Sequence, residues 1–339
     1  MDFRETIREI FEGLSGDNEQ DIKYLNGKME EYKDAENGKE IIRALGRKIF
    51  ELLPEDKKEE LNKIIGNEVD SIQATMEEAL FQLKQNNPEK AESLFKSAID
   101  SIPLEFNEDK ECRYFCFDSL LELTIFAVSE KFEKKIRKPT YEFAQLYYYY
   151  GYSLIENKKF DEAEEALKTA LKWNPVSTTI IGELAEIYKI KKDYDNYLIC
   201  SKNILKYATS SEMLARGYRN IAYFYVDVER YEDAAAIYYF SRYFEESKQV
   251  TSELYFIAET IGKLPEQPSI ERIKELFEKE DIPFGASDFV VGAAYQLAQT
   301  YLENNNIPGA KYHLAVVYDL THDDKVLEMI KSLEENDEK

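Results

Sequence analysis

The chain has 339 residues, of which 44% are apolar, and its 67 acidic against 44 basic residues give a formal net charge of −23. That apolar share can bury a continuous core and excludes a disordered chain, while the negative field repels nucleic acid and anionic membranes over roughly a Debye length. Glycine and proline are sparse, at 13 and 9, which predicts long helices joined by short turns; the length calls for two cores or for a unit that grows by stacking.

Residues 1–70 read as an N-terminal helical cap or a small bundle. Apolar side chains fall at helical spacing in three runs: Phe3, Ile7, Ile10, Phe11 and Leu14; Ile22, Leu25, Met29 and Tyr32; Ile41, Ile42, Leu45, Ile49 and Leu52. Gly16 and Asn37-Gly38 supply the breaks, and Pro54-Glu55-Asp56 opens a further helix, with proline and acids where the free donors and the dipole favour them. The first residues, MDFRETIREIFEGL, carry acids where a secretory leader has a basic start. No stretch reaches the roughly 18 apolar residues of a membrane span. A cytoplasmic protein is expected.

From Ile72 to Glu105 the residues Ala79, Leu83, Ala91, Phe95, Ala98 and Pro103 outline two helices and a stop. Glu111 to Lys135 keeps helical periodicity, so Cys112 and Cys116 are expected in a helix as buried thiols. The basic group Lys131, Lys134, Lys135, Arg137 and Lys138 reads as a solvated helix end.

The clearest unit runs from Gln145 to Ser177. Tyr147, Tyr150 and Leu154 give the first helix its apolar face, and Leu167, Ala170 and Leu171 the second. Gly151 and Ala163, twelve residues apart, leave room for close approach, Phe160 follows the turn, and Pro175 ends the unit. One period later come Leu184, Ala185, Tyr188 and Asp193-Tyr194-Asp195, although Tyr197 and Ser201 stand where a small and a large apolar residue are expected. A third copy has Tyr218, Ile221, Ala222 and Tyr225, then Ala234 and Tyr238; a last one has Leu297, Ala298, Tyr301, Ile307, Ala310 and Leu314. Thr251 to Lys279 is helical without the signature, and Val326, Met329 and Ile330 mark a closing helix.

These small residues, the aromatic after the turn and the closing proline resemble the tetratricopeptide (TPR) repeat, a helix-turn-helix of about 34 residues. The resemblance implies an all-α fold: a right-handed TPR-type α-solenoid of stacked antiparallel helix pairs over 71–339. The copies lie near 72–105, 144–177, 178–211, 215–248 and 291–324, with degenerate helices at 106–140 and 249–290. It also implies that the first helices line an inner surface that holds a protein or peptide partner. Half a turn from the buried positions stand Tyr148 and Tyr152, Glu183 and Glu186, Arg216, Arg219, Asn220 and Tyr223, and Tyr295 and Gln299. Four successive tyrosines, Tyr147 to Tyr150, span about 300° of a helix, so some rings face the core whatever the function. Tyr147 and Tyr150 are assigned to packing, as are Tyr238, Tyr239 and Tyr243. The carboxylate clamp of some family members is not matched: Tyr148, Tyr152 and Glu183 stand at its positions, and only Arg216 and Asn220 are reminiscent of it.

No catalytic residue, metal site or cofactor is expected. The two histidines, His313 and His322, have no second ligand at metal spacing and read as capping or surface residues, and Cys200 reads as a packed thiol. No phosphate-binding loop, nucleophile elbow or HExxH helix occurs. A non-enzymatic binding scaffold is therefore the first expectation, a peptide-responsive regulator with residues 1–70 as output the second, and an enzyme the third. Oligomeric state is not legible.

Overall fold

The computed structural model describes residues 3–35, 38–102, 108–130 and 132–337. Asn37, Pro103 and Lys131, used above, lie outside them. The described residues form an all-α architecture of consecutive packed helices, with one two-stranded sheet. They group into two compact units, 1–115 with 134–142, and 116–133 with 143–339.

The first unit contains α1 (Phe3–Glu12), α2 (Asn18–Glu31), α3 (Gly38–Leu52), α4 (Glu55–Lys84) and α5 (Pro88–Asp100). The three apolar runs make one core in which Phe3, Ile7, Ile10, Leu25, Ile41 and Leu45 are buried. Gly16 turns the chain at φ +86°. There the buried Asp21 carboxylate accepts from Ser15 N at 2.6 Å and Gly16 N at 3.0 Å, capping the approach to α2. Residue 70, where the sequence places a boundary, lies inside α4. The end of α4 pairs with α5 through Ala79, Ala91, Phe95 and Ala98, all buried.

Residues 108–142 depart from the helical expectation. β1 (Cys112–Tyr114) and β2 (Lys135–Arg137) pair in parallel, Cys112 opposite Lys135. The only described helix of this stretch is α6 (Leu120–Glu130). Cys112 is thus a strand residue and Cys116 a coil residue, both buried as free thiols. The basic group is correspondingly not a helix end: Lys135 and Arg137 are in β2, and Lys134 pairs with Glu108 and donates to Asp109 O at 2.9 Å. Buried Asp109 accepts from Cys112 N at 2.8 Å and from Arg47 at 2.7 Å, and Phe115 N donates to Arg137 O at 2.9 Å, so side chain and strand hydrogen bonds satisfy the backbone that a helix would otherwise close on itself.

The second unit holds the expected pairs: α7 (Phe143–Glu156) with α8 (Phe160–Trp173), α9 (Thr178–Lys191) with α10 (Tyr194–Tyr207), and α11 (Ser211–Asp227) with α12 (Tyr231–Ser241). Each pair stacks on the next through α8 against α9 and α10 against α11. At Gly151 the first pair nests closely, because a Cβ there would stand 2.8 Å from Leu167 Cγ and 3.5 Å from Ala163 O. The turns are closed by Lys158, Lys192 and Glu229 in the left-handed region, at φ 61°, 56° and 60°.

After α13 (Lys248–Ile261) and α14 (Ile270–Lys279), α15 (Asp288–Glu303) pairs with α16 (Ile307–Thr321), and α17 (Asp324–Asp337) closes the unit on α16 with Val326 buried. α15 packs along α6, and the α16 residue Asp319 accepts from Ser211 N at 2.7 Å and Ser211 Oγ at 2.8 Å at the start of α11. His313 corrects an expectation. It is buried, stacked on Tyr301 at 5.2 Å with Nδ1 2.8 Å from Gly309 O, because Gly309 lets the Tyr301 ring close over α16. His322 does cap α16, at φ 52°.

Candidate functional site

Eight of the ten sequence-selected residues come together on the successive first helices α7, α9 and α11. Tyr148 and Tyr152 project from α7, Glu183 and Glu186 from α9, and Arg216, Arg219, Asn220 and Tyr223 from α11. Arg216 crosses to α9 over Gly182, where a Cβ would meet its guanidinium at 2.6 Å, and Nη2 donates to Glu183 Oε1 at 3.3 Å. Arg219 Nη1 donates to Glu245 Oε2 at 2.7 Å. Lys189 Nζ lies 4.2 Å from the centre of the Tyr223 ring and 3.5 Å from Glu186 Oε2. Every one of these cations therefore already has a carboxylate.

Burial governs the ionisation here. The Glu183 carboxyl is held above the usual carboxylate range by loss of solvent, which outweighs the pull of Arg216. The Tyr148 hydroxyl is pushed up to about 12, by burial first and then by the Glu183 charge. Tyr152 is raised for the same first reason, with Glu156 next. Both phenols are thus neutral hydrogen-bond donors at any physiological pH.

Two buried polar atoms beneath this face have no partner among the described residues: Asn220 Nδ2 and the hydroxyl of Tyr197. Asn220 is 7% exposed and Tyr197 is fully buried. The Tyr197 ring meets Tyr223 edge to face at 6.3 Å, and its hydroxyl is raised by burial and then by Glu186. Leaving such donors unpaired costs about 1–3 kcal/mol each.

Sequence reasoning missed Tyr197, Lys189 and Glu245. A signal for Tyr197 existed, since a large ring at a position that wants a small residue must push its end past the neighbouring helix. Tyr295 and Gln299 are placed otherwise. Both are on α15, with Tyr295 Oη 3.6 Å from Met329 Sδ of α17 and Gln299 exposed. Tyr147 and Tyr150, expected to pack, lie half-buried along Glu162, Glu165 and Ala166 of α8.

Cys200 is buried, and burial pushes its thiol up to about 12, which opposes thiolate chemistry. Among the described residues no three His, Cys, Asp or Glu side chains converge as metal ligands, and no helix is long and apolar enough to cross a membrane.

No family model matches the chain, and no curated protein matches it. Among solved structures it is similar to a tetratricopeptide repeat protein from Parabacteroides merdae ATCC 43184, at 12% identity and a TM-score of 0.35, over 78% of this chain and 98% of that one. The assignment of fold therefore rests on the packed helix pairs themselves.

Proposed function

We propose that the face built by α7, α9 and α11 holds an extended segment of another protein, without chemical turnover. The observation that carries the reading is the set of half-buried rings, Tyr148 and Tyr152 on α7 and Tyr223 on α11, beside cations that already have carboxylates. A peptide offers side chains that stack on Tyr148, Tyr152 and Tyr223 and carbonyls that accept from their hydroxyls, and covering these rings removes apolar surface from water. The pairing of Arg216, Arg219 and Lys189 with carboxylates weighs against a site that selects an anionic chain end. Recognition then rests on hydrogen bonds and ring contacts, and its salt dependence is weak.

The test compares the full chain with its Tyr148→Ala/Arg219→Ala variant in affinity capture from a native cell extract, read by mass spectrometry. At least one protein retained by the parent is lost from the variant, while the helical circular dichroism of the two is the same. Identical capture by both removes the face from consideration.

A further inference from the structure

A cavity lies elsewhere in the same unit. Between α12, α14 and the start of α15 is a cavity of about 590 Å³, within the range of small-molecule sites. Its walls are Phe240, Tyr243, Ile273, Phe284 and Leu320.

The site is preformed. Phe240 packs against Phe277 at 5.1 Å and Phe284 at 5.0 Å, and buried Tyr218 stacks on Phe277 at 5.5 Å, so the floor is a block of interlocked rings. The wall segment is tied at both sides of Phe284: Tyr218 Oη donates to Pro283 O at 2.8 Å and accepts from Gly285 N at 2.7 Å. Gly285 takes φ +77°, a conformation that keeps this turn tight and that other residues reach only with strain. Phe284, Tyr243 and Ile270 nevertheless remain 45%, 58% and 44% exposed, so apolar surface stays in water at the mouth.

Charge fixes the kind of occupant. Four cations lie between residues 263 and 279: Lys263 pairs with Glu232 at 3.5 Å, Arg272 with Asp233 at 3.0 Å and Lys279 with Glu280 at 3.4 Å. Lys274 is exposed and has no carboxylate within 4.0 Å among the described residues; its charge is felt by Glu271, one turn before it on α14, without a direct ion pair. It lines the cavity, with Nζ 5.5 Å from the centre of the Phe284 ring. One carboxylate, Asp288, also reaches the lining, from the first turn of α15.

We propose that this cavity binds a small amphiphile, an apolar chain or ring bearing one carboxylate, with Lys274 as its counter-ion. The apolar body covers the aromatic walls and the carboxylate gives Lys274 the partner that its three neighbours already have. Such a charge-assisted contact, made at the edge of an apolar cavity, selects the anion over a neutral body of the same size.

Calorimetric titration of the full chain with decanoate, decan-1-ol and decyltrimethylammonium tests this. Decanoate binds with a dissociation constant in the micromolar range and decanol roughly two- to fivefold more weakly, the worth of an ion pair to an exposed lysine. Lys274→Met removes that preference and leaves decanol unchanged. Val291→Trp, or Ala286→Leu if the first variant loses its helical dichroism, weakens both. The proposal is overturned if none of the three binds below millimolar concentration, if all three bind alike, or if the Lys274→Met variant keeps its preference for decanoate. Tighter binding of the ammonium also overturns it, because Asp288 would then be the counter-ion.

Discussion

The helices α7 to α12 and the two that follow them, α13 and α14, solve the same packing problem in different ways. In the first group a turn of two or three residues returns the chain at once, and small side chains let the partners nest: Gly151 against Leu167, and Gly217 against Leu205, where a Cβ would stand 2.6 Å from Cδ2. Between α13 and α14 the chain instead runs through residues 262–269, with Pro265 and Pro268, and the two helices each pack on α12. The splay leaves the cavity lined by Phe240, Ile273 and Phe284, and the gap is held by polar ties. Glu280 accepts from Arg230 at 2.8 Å and from Tyr225 at 2.8 Å, Lys202 donates to Asp281 at 3.0 Å, and Arg272 donates to Asp233 at 3.0 Å. The nested pairs depend on close shape, whereas α14, beyond burying Ile273, Leu276 and Phe277, leans on charge at its C-terminal end, so the two should fail under different insults.

The harshest insult to shape is Gly151→Leu. Even the first added carbon would stand 2.8 Å from Leu167 Cγ, on a helix face with no room to yield. Overpacking of this kind costs roughly 3 kcal/mol or more, and thermal unfolding should fall by several degrees at every pH. A melting temperature equal to the parent's would dissolve the contrast at its stronger end.

The legibility of the fold follows the same division. Gly151 and Ala163 recur at an offset that one sequence displays, because a nested pair is a local object and its period is short. β1 and β2 gave no such signal: each has three residues, too few for alternation to show, and their pairing joins Cys112 to Lys135 across α6. The cavity was illegible for a similar reason, since Phe240, Ile273, Phe284 and Leu320 come from separate segments and none is unusual alone. On the proposed face, Tyr148, Glu183 and Arg216 were readable from the repeat, whereas Tyr295 followed the same arithmetic onto a helix that lies beside α6 and α17. Periodicity locates a residue on its helix; it does not say what that helix meets.

Charge-held packing should respond to pH. The Glu280 carboxyl is lowered to about 2, chiefly by its hydrogen bond from Arg230, with further help from Tyr225. A depressed carboxyl contributes stability that is present above its unfolded value near 4.5 and is lost as pH falls through about 2. Glu280→Gln should therefore cost about 1.5–3 kcal/mol at neutral pH, the range for a hydrogen bond to a charged partner. The difference from the parent should close between pH 4.5 and 2. Amide exchange should quicken in α14 and leave α7 and α8 as they were. A loss that is the same at pH 3 and pH 7, or one shared by α7, would mean that the splayed helix is held by shape after all.

The smallest effect separates the turn from what comes after it. α9 and α13 both end in a left-handed residue, Lys192 at φ 56° and Gly262 at φ 75°. In the nested pair the next residue, Asp193, already caps α10 by accepting from Asn196 N at 3.2 Å, whereas seven residues separate Gly262 from α14. The left-handed turn would then cost a side chain the same in both places, and the pairing depends on the length that follows. Lys192→Gly should relieve the side-chain clash of that conformation and raise stability by about 0.5–1 kcal/mol, and Gly262→Lys should lower it by about 1 kcal/mol. Denaturant midpoints should move by similar amounts in opposite directions. A much larger loss at Gly262 would show that the turn, and not the linker with its two prolines, sets α13 and α14 apart.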